Sequence, residues 1–183
     1  QSLNDEEFIT ELKQYQADLF VVVAFKFLPK KIWEIPKLGT INIHASILPN
    51  LRGAAPINWA LINGLKETGL TSFFINEKID SGDIILQEKL AIYEHDNFES
   101  LYKKLKKMSN EFITKTIELI FEENITTQKQ QTIKNLLLAP KLNKENTRLN
   151  WNDSATNIYN FVRGLSPFPC AWTIENKTNK RVL

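Results

Sequence analysis

The chain has 183 residues, 43% hydrophobic and 24% charged, with a formal net charge of +2. This composition suits a globular chain with a core and excludes global disorder. The small net charge excludes polyanion recognition by bulk charge, so any nucleic-acid contact must come from local clustering.

Residues 5–16 place Phe8, Ile9, Leu12 and Tyr15 on one stripe. They read as a helix laid on a sheet, with Asn4 and Glu7 as a capping box. The run 18–24 is continuously apolar and β-branched, which predicts a parallel strand covered on both faces. The longest apolar candidate in the chain, Leu19 to Phe25, has strand length and falls far short of the ~20 residues of a membrane span. The acidic, polar opening gives no expectation of a signal peptide. Residues 25–29 leave the C-terminal end of that strand, the edge where open α/β sheets place ligands. Phe25, Phe27 and Leu28 also read there as plain core caps. Pro29 to Ile35 predicts a short helix with Pro at its first turn and Trp33 as packing. Thr40 to Ala45 is a second buried strand. The resulting βαβ unit brings the Phe25 loop and His44 to one edge.

Ala54 to Asn63 predicts a helix with Ile57, Ala60 and Leu61 on one face, Trp59 structural and Gly64 as its stop. Two strands follow, Gly69–Asn76 and Asp83–Ala91, joined by a loop holding Lys78 and Asp80-Ser81-Gly82. Gly82 is expected to take a positive φ that turns Asp80 inward. Asn97 to Glu123 is the longest helical pattern, with a break expected near Ser109-Asn110 and Lys103, Lys104, Lys106 and Lys107 forming a solvated face. Residues 124–152 are polar, and Gln128–Gln131 and Lys141–Asn146 read as extended connection. Ser154 to Leu165 predicts a short amphipathic helix, and Ala171 to Leu183 a strand, an Asn-rich turn and the start of another strand.

Chemistry concentrates between Thr40 and Asp83. Asn42 and His44 are two apart on a strand, so they share a face. Alone, the pair reads as a turn residue and a packed histidine; together, an amide and an imidazole can stabilise a carbonyl oxygen that becomes an oxyanion. His95, within Tyr93-Glu94-His95-Asp96, is expected on a surface loop. There is no G-x-S-x-G elbow, P-loop or G-x-G-x-x-G fingerprint. Two histidines and one cysteine offer no zinc spacing, and Cys170 alone cannot close an internal disulfide, which suits a reducing cytoplasm. Cys170 itself reads as a small hydrophobe in a Pro-rich turn.

The ordered set Asn42-x-His44, Ser46-Ile47-Leu48-Pro49, Arg52-Gly53-Ala54-Ala55-Pro56, Glu67-Thr68-Gly69-x-Thr71 and Ile79-Asp80-Ser81-Gly82-Asp83 resembles the folate-dependent formyltransferases. Arg-Gly-Ala-Ala-Pro-Ile at 52–57 sets it closest to the methionyl-tRNA branch and apart from the glycinamide ribonucleotide branch. Ala139-Pro140-Lys141-Leu142, Lys144-Glu145 and the stretch Arg163 to Trp172 extend the resemblance over essentially the whole chain. It implies an α/β fold, part of a Rossmann-like domain with a mostly parallel sheet, followed by a linker and the start of an OB-like C-terminal β-barrel. The expected divisions are 1–138 for the catalytic domain, 139–168 for the linker with its short helix, and 169–183 for the barrel. Because members of that family carry more chain on both sides, the sequence reads as a partial chain.

The resemblance also implies an activity: transfer of the formyl group of 10-formyltetrahydrofolate to the amine of initiator methionyl-tRNA, without a metal, in a cytoplasmic monomer. It makes Asn42, His44 and Asp80 catalytic, with Asp83 as the rival carboxylate. It assigns Ser46, Ile47, Leu48 and Pro49 to the folate pocket, with a cis Leu48–Pro49 bond, together with Phe25, Lys26 and Leu28. Arg52 is the expected tRNA contact. Two alternatives stand beside this reading. One is a related enzyme acting on another acceptor, such as an amino-sugar nucleotide or water; the other is a folded piece that only binds folate or tRNA.

Overall fold

The computed structural model describes residues 3–23, 27–122 and 125–183. Helix α1 (Glu6–Gln14) starts at Asp5, whose carboxylate accepts from the Glu7 N–H; the two glutamates of its first turn suit the positive end of the helix dipole. The cap is thus Asp5, one residue beyond the expected Asn4 box, because Asp5 holds the extended conformation that a cap requires. Strand β1 (Phe20–Val23), helix α2 (Lys30–Trp33) and strand β2 (Thr40–His44) follow. β1 and β2 pair in parallel, Phe20 opposite Thr40 and Val23 opposite Ile43, giving the expected βαβ unit.

β1 is not covered on both faces. Val21 and Val23 are 42% and 57% exposed while Phe20 and Val22 are half-buried. The strand lies at the edge of the sheet formed by the described residues, and Val21 and Val23 meet no second layer among them.

Next come strand β3 (Arg52–Gly53), helix α3 (Pro56–Ile62), and strands β4 (Glu67–Phe74) and β5 (Ile84–Ala91). The main sheet has the order β1-β2-β4-β5. β2 pairs antiparallel with β4, and β4 antiparallel with β5, so the sheet is mixed rather than mostly parallel. For β4 and β5 the reason is connection length: the stretch 75–83 holds no helix and cannot make the crossover of a dozen or more residues that a parallel pair needs.

Helix α4 (Phe98–Phe121) begins with a reciprocal box between Asn97 and Ser100 and buries Leu101, Leu105, Phe112, Thr116 and Ile120. It runs unbroken through Ser109-Asn110, where the Ser109 hydroxyl bonds back to the Lys106 carbonyl inside the helix. Leu101, Leu105, Phe112 and Ile120 join Ile41, Ile43, Leu51, Ala60, Leu61 and Leu70 in one core, each large apolar member contributing about 1.5–3 kcal/mol by leaving water. The lysine face is only partly solvated. Lys103, Lys106 and Lys107 are exposed, Lys103 beside Glu99, but Lys104 is half-buried and donates to both oxygens of Asp96, which is 1% exposed. Burial pushes the Asp96 carboxyl up, but the Lys104 ammonium, the Tyr93 N–H and the Ser100 hydroxyl outweigh it and hold the group below the usual carboxylate range.

Strand β6 (Leu138–Ala139) pairs in parallel with β3. Helix α5 (Ala155–Leu165), capped by Ser154, packs its buried face on α3, where the Asn58 amide donates to the Gly164 carbonyl at 2.8 Å. Arg163, almost fully buried, donates to the carbonyls of Tyr93, Glu94 and Asp96 and so ties α5 to the segment before α4. Strands β7 (Thr173–Ile174) and β8 (Arg181–Val182) form an antiparallel hairpin. The described C-terminal residues make this hairpin and no barrel, whose closure takes several more strands. No described helix is long and apolar enough to cross a membrane.

Candidate active site

Asn42 and His44 lie on one face at the C-terminal end of β2. Asn42 sits opposite Val22 and Phe73, and His44 opposite Thr71. His44 is 6% exposed, with Nε2 2.8 Å from the Leu51 carbonyl oxygen. A carbonyl can only accept, so Nε2 carries a proton and donates to it. Leu51 pays for that placement with a left-handed backbone (φ 62), held by its own N–H to the Leu137 carbonyl at 2.7 Å. The other ring nitrogen, Nδ1, faces Asp80 Oδ2 at 3.8 Å.

Asp80 Oδ2 also accepts from the Gly53 N–H at 2.9 Å. The residue with positive φ in this loop is Asp80 itself (φ 49), contrary to the expectation for Gly82; aspartate tolerates that region because its short polar side chain can bond locally. Gly82 is required for another reason: a Cβ there would lie 1.6 Å from the Phe74 carbonyl oxygen. Asp83 joins the β4–β5 ladder through its carbonyl, which accepts from Phe74 N–H. Asp80, not Asp83, is therefore the carboxylate in ion-pair range of His44. The half-buried Asn42 has an amide oxygen that is sealed from solvent and has no donor among the described residues. Such an acceptor costs about 1–3 kcal/mol if left unpaired.

The segment after β2 is pinned from beneath. The Thr71 hydroxyl donates to the Ser46 carbonyl and accepts from Leu48 N–H; the Gln87 amide donates to the Leu48 carbonyl and to Thr71 Oγ1. Ser46 turns its hydroxyl to the Asn50 carbonyl, and Leu48 is buried against Phe73 and Ile84. Ile47 and Pro49 remain half-buried, and the Leu48–Pro49 bond is cis. Leu28 is half-buried and Phe27 exposed; Phe25 and Lys26 lie outside the described residues. Arg52 is half-buried and donates through Nε and Nη2 to Gln130 Oε1, at 3.1 and 2.6 Å.

Thr71, Gln87, Gln130 and the Leu51 carbonyl are parts of this site that the sequence reading did not single out. Thr71 closes the Glu67-Thr68-Gly69-x-Thr71 motif and could have been found there. Gln130 sits in a polar stretch with no periodicity and carried no signal. Two open crevices among the described residues lie elsewhere. One of about 410 Å³, lined by residues such as Trp33, Lys37 and Phe74, is at the opposite end of β2; the other, of about 440 Å³, lies against Asn110 and Lys115 on α4. No group of three or more His, Cys, Asp or Glu that could hold a metal occurs among the described residues.

On the C-terminal segment, Lys144, Arg148 and Arg181 all lie over the ring of the buried Trp172, at 5.8, 5.4 and 5.0 Å from its centroid. The three cations are exposed, and none of them joins an ion pair formed among the described residues.

Residues 1–117 match the family model described as formyl transferase, and residues 141–183 match the model of the formyl transferase C-terminal domain. The chain belongs to the formyltransferase family. Among formyltransferases it is 46% identical over 181 residues to the methionyl-tRNA formyltransferase of Flavobacterium johnsoniae, covering 99% of this chain and 58% of that protein. It is 45% identical over 176 residues to the same enzyme of Bacteroides fragilis, covering 94% of this chain and 54% of that one. The chain thus spans about half the length of the curated relatives it matches. The formyltransferase fold recurs in solved structures. A sugar N-formyltransferase from a Shewanella species has a TM-score of 0.78 at 20% identity, covering 100% of this chain and 74% of that one. HypX from Aquifex aeolicus, in complex with tetrahydrofolic acid, has a TM-score of 0.75 at 22% identity, covering 92% and 29%.

Proposed function

We propose that this chain carries the reacting centre of an enzyme that moves the formyl group of 10-formyltetrahydrofolate to the α-amine of initiator methionyl-tRNA. The observation that carries the reading is the placement of Asp80 beside the one ring nitrogen of His44 not already committed to a carbonyl. The methionyl-tRNA formyltransferases at 45–46% identity support the acceptor, and the tetrahydrofolic acid complex of HypX supports the donor.

The folate enters this reading as co-substrate. The segment Ser46–Pro49, pinned by Thr71 and Gln87, and the loop with Phe25, Lys26 and Leu28 would line its pocket. When bound, the folate supplies an activated formyl group. Asn42, through its amide, and His44, through Nδ1–H, would hydrogen-bond the formyl oxygen as negative charge develops there, each donor worth about 3 kcal/mol by analogy with other oxyanion holes. Asp80, facing Nδ1, would stabilise the second ring proton and help move the amine proton to N10 of the folate, as the bond from the amine nitrogen to the formyl carbon replaces the bond from N10. The amine itself needs little activation, since a free α-amine titrates near ~7.7–8.0 and esterification of the carboxyl lowers this further. Arg52 and the cations over Trp172 are the proposed phosphate contacts to the tRNA. Residues 1–138, 139–168 and 169–183 would act as catalytic region, linker and the start of a barrel, in a cytoplasmic monomer.

The test offers the full-length protein labelled 10-formyltetrahydrofolate with methionyl-tRNA, with an amino-sugar nucleotide, or with no acceptor. Label is expected in methionyl-tRNA and to fall roughly 100- to 1,000-fold in His44→Ala. Label moving to the sugar, or release of formate without acceptor, would replace the reading with one of its relatives.

A further inference from the structure

Three separate segments meet at Gln130. Its Nε2 donates to the carbonyls of Asp80 and Gly82, at 3.0 and 2.9 Å, while its Oε1 accepts from Nε and Nη2 of Arg52. The residue after Arg52 is Gly53, whose N–H grips Asp80 Oδ2. A closed circuit therefore runs from Asp80 through Gly53 and Arg52 to Gln130 and back to the Asp80 backbone. The segment bearing Gln130 is itself anchored to the sheet, because Gln128 and Ile84 exchange both backbone hydrogen bonds.

The loop has internal bonds of its own, from the Lys78 N–H and Ser81 hydroxyl to Asn76 and from Ser81 to the Lys78 carbonyl, but the circuit is what ties Asp80 and Gly82 to residues beyond it. Asp80 is in the left-handed region, a conformation that persists only where its surroundings over-determine it. Its side chain stands 3.8 Å from His44 Nδ1, so a small swing of the loop removes the carboxylate from the imidazole. Only an uncharged amide suits the position. A carboxylate would satisfy Arg52 but set its second oxygen against two carbonyl oxygens; an ammonium would do the reverse.

We infer that Gln130 is a positioning residue for formyl transfer: it fixes the Asp80 loop against Gly53 and thereby sets the distance between Asp80 and His44, without touching the reacting atoms. This rests on the reading of His44 and Asp80 given above, so the test includes a readout independent of activity.

In the full-length protein, Gln130→Leu removes both halves of the bridge at similar volume, and Gln130→Glu keeps the acceptor for Arg52 and loses the donor to the loop. Amide exchange at Gly53 is measured by NMR beside that of Ile43 and Ser72 in the central sheet, and kcat and KM are measured for transfer to methionyl-tRNA. Both variants are expected to raise exchange at Gly53 at least tenfold with the sheet amides unchanged. They are also expected to lower kcat at least tenfold with KM for the folate within threefold. Unchanged Gly53 exchange and kcat in Gln130→Leu would overturn the inference. So would an equal rise at all three amides, which marks general loosening, or full activity in Gln130→Glu. If the wild-type protein formylates no methionyl-tRNA, the functional reading fails, and Gly53 exchange alone still decides whether Gln130 holds the loop.

Discussion

Asp80→Asn changes a charge and very little shape. The amide oxygen can still accept from the Gly53 N–H, so the loop keeps its anchor and only the negative charge opposite His44 is lost. Two unit charges 3.8 Å apart at an effective dielectric of about 20 attract by about 4 kcal/mol. That is the most a doubly protonated His44 gains from Asp80, and it matters only in the step where the ring bears that second proton. Residual hydration trims the value, so transfer should slow roughly 100- to 1,000-fold, or about 3–4 kcal/mol in barrier. The assay is single-turnover formylation of methionyl-tRNA at saturating folate, with Asp83→Asn as a matched control three residues away. Asp80→Asn should lose kcat with little change in KM, while Asp83→Asn stays within threefold of wild type. If Asp80→Asn retains a third of the wild-type rate, or if Asp83→Asn is the damaging variant, the proposed partnership of His44 with Asp80 is wrong.

Three further outcomes follow from the same structure. Asp96→Ala leaves the Tyr93 N–H and the Ser100 hydroxyl without their carboxylate in a buried site, and should cost about 3 kcal/mol in denaturant unfolding. Because the folded Asp96 carboxyl lies below its ordinary value, its contribution is complete above the usual carboxylate range and fades as pH falls through the folded value. The stability gap between wild type and Asp96→Asn should therefore be flat above about pH 5 and shrink below about pH 4. Gly82→Ala forces a methyl into the Phe74 carbonyl, so unfolding stability and transfer rate should fall together; a variant with native melting behaviour would contradict that contact. Binding of tRNA should weaken linearly in log–log plots against salt, and Arg148→Gln or Arg181→Gln should each flatten the slope by just under one; an unchanged slope would remove these cations from the interface.

Local physics made most of the helices legible. Asn97 and Ser154 cap where their side chains can reach backbone N–H groups, and the apolar spacing of Leu101, Leu105 and Phe112 buries one face of α4. The mixed sheet was also within reach, since the helix-free stretch 75–83 rules out a parallel crossover. The exposure of Val21 and Val23 was not, because an apolar run records what a strand tolerates and not whether a second layer is present. The site divides the same way. Asn42 and His44 share a face by strand alternation, a property of neighbours in sequence, and the motif around Asp80 narrowed the carboxylate to two candidates.

The chain's residue types and their order determined the family, the strand bearing Asn42 and His44, and the loop that carries the acid. Tertiary structure put Asp80, the acid that the resemblance favoured over Asp83, beside the imidazole, and it alone decided that the Leu51 carbonyl consumes Nε2 and that Gln130 reaches back across the chain to the Asp80 loop. Those contacts join residues up to 50 positions apart. They depend on how the segments stack, and a hydrogen bond between distant segments leaves no periodicity in either of them.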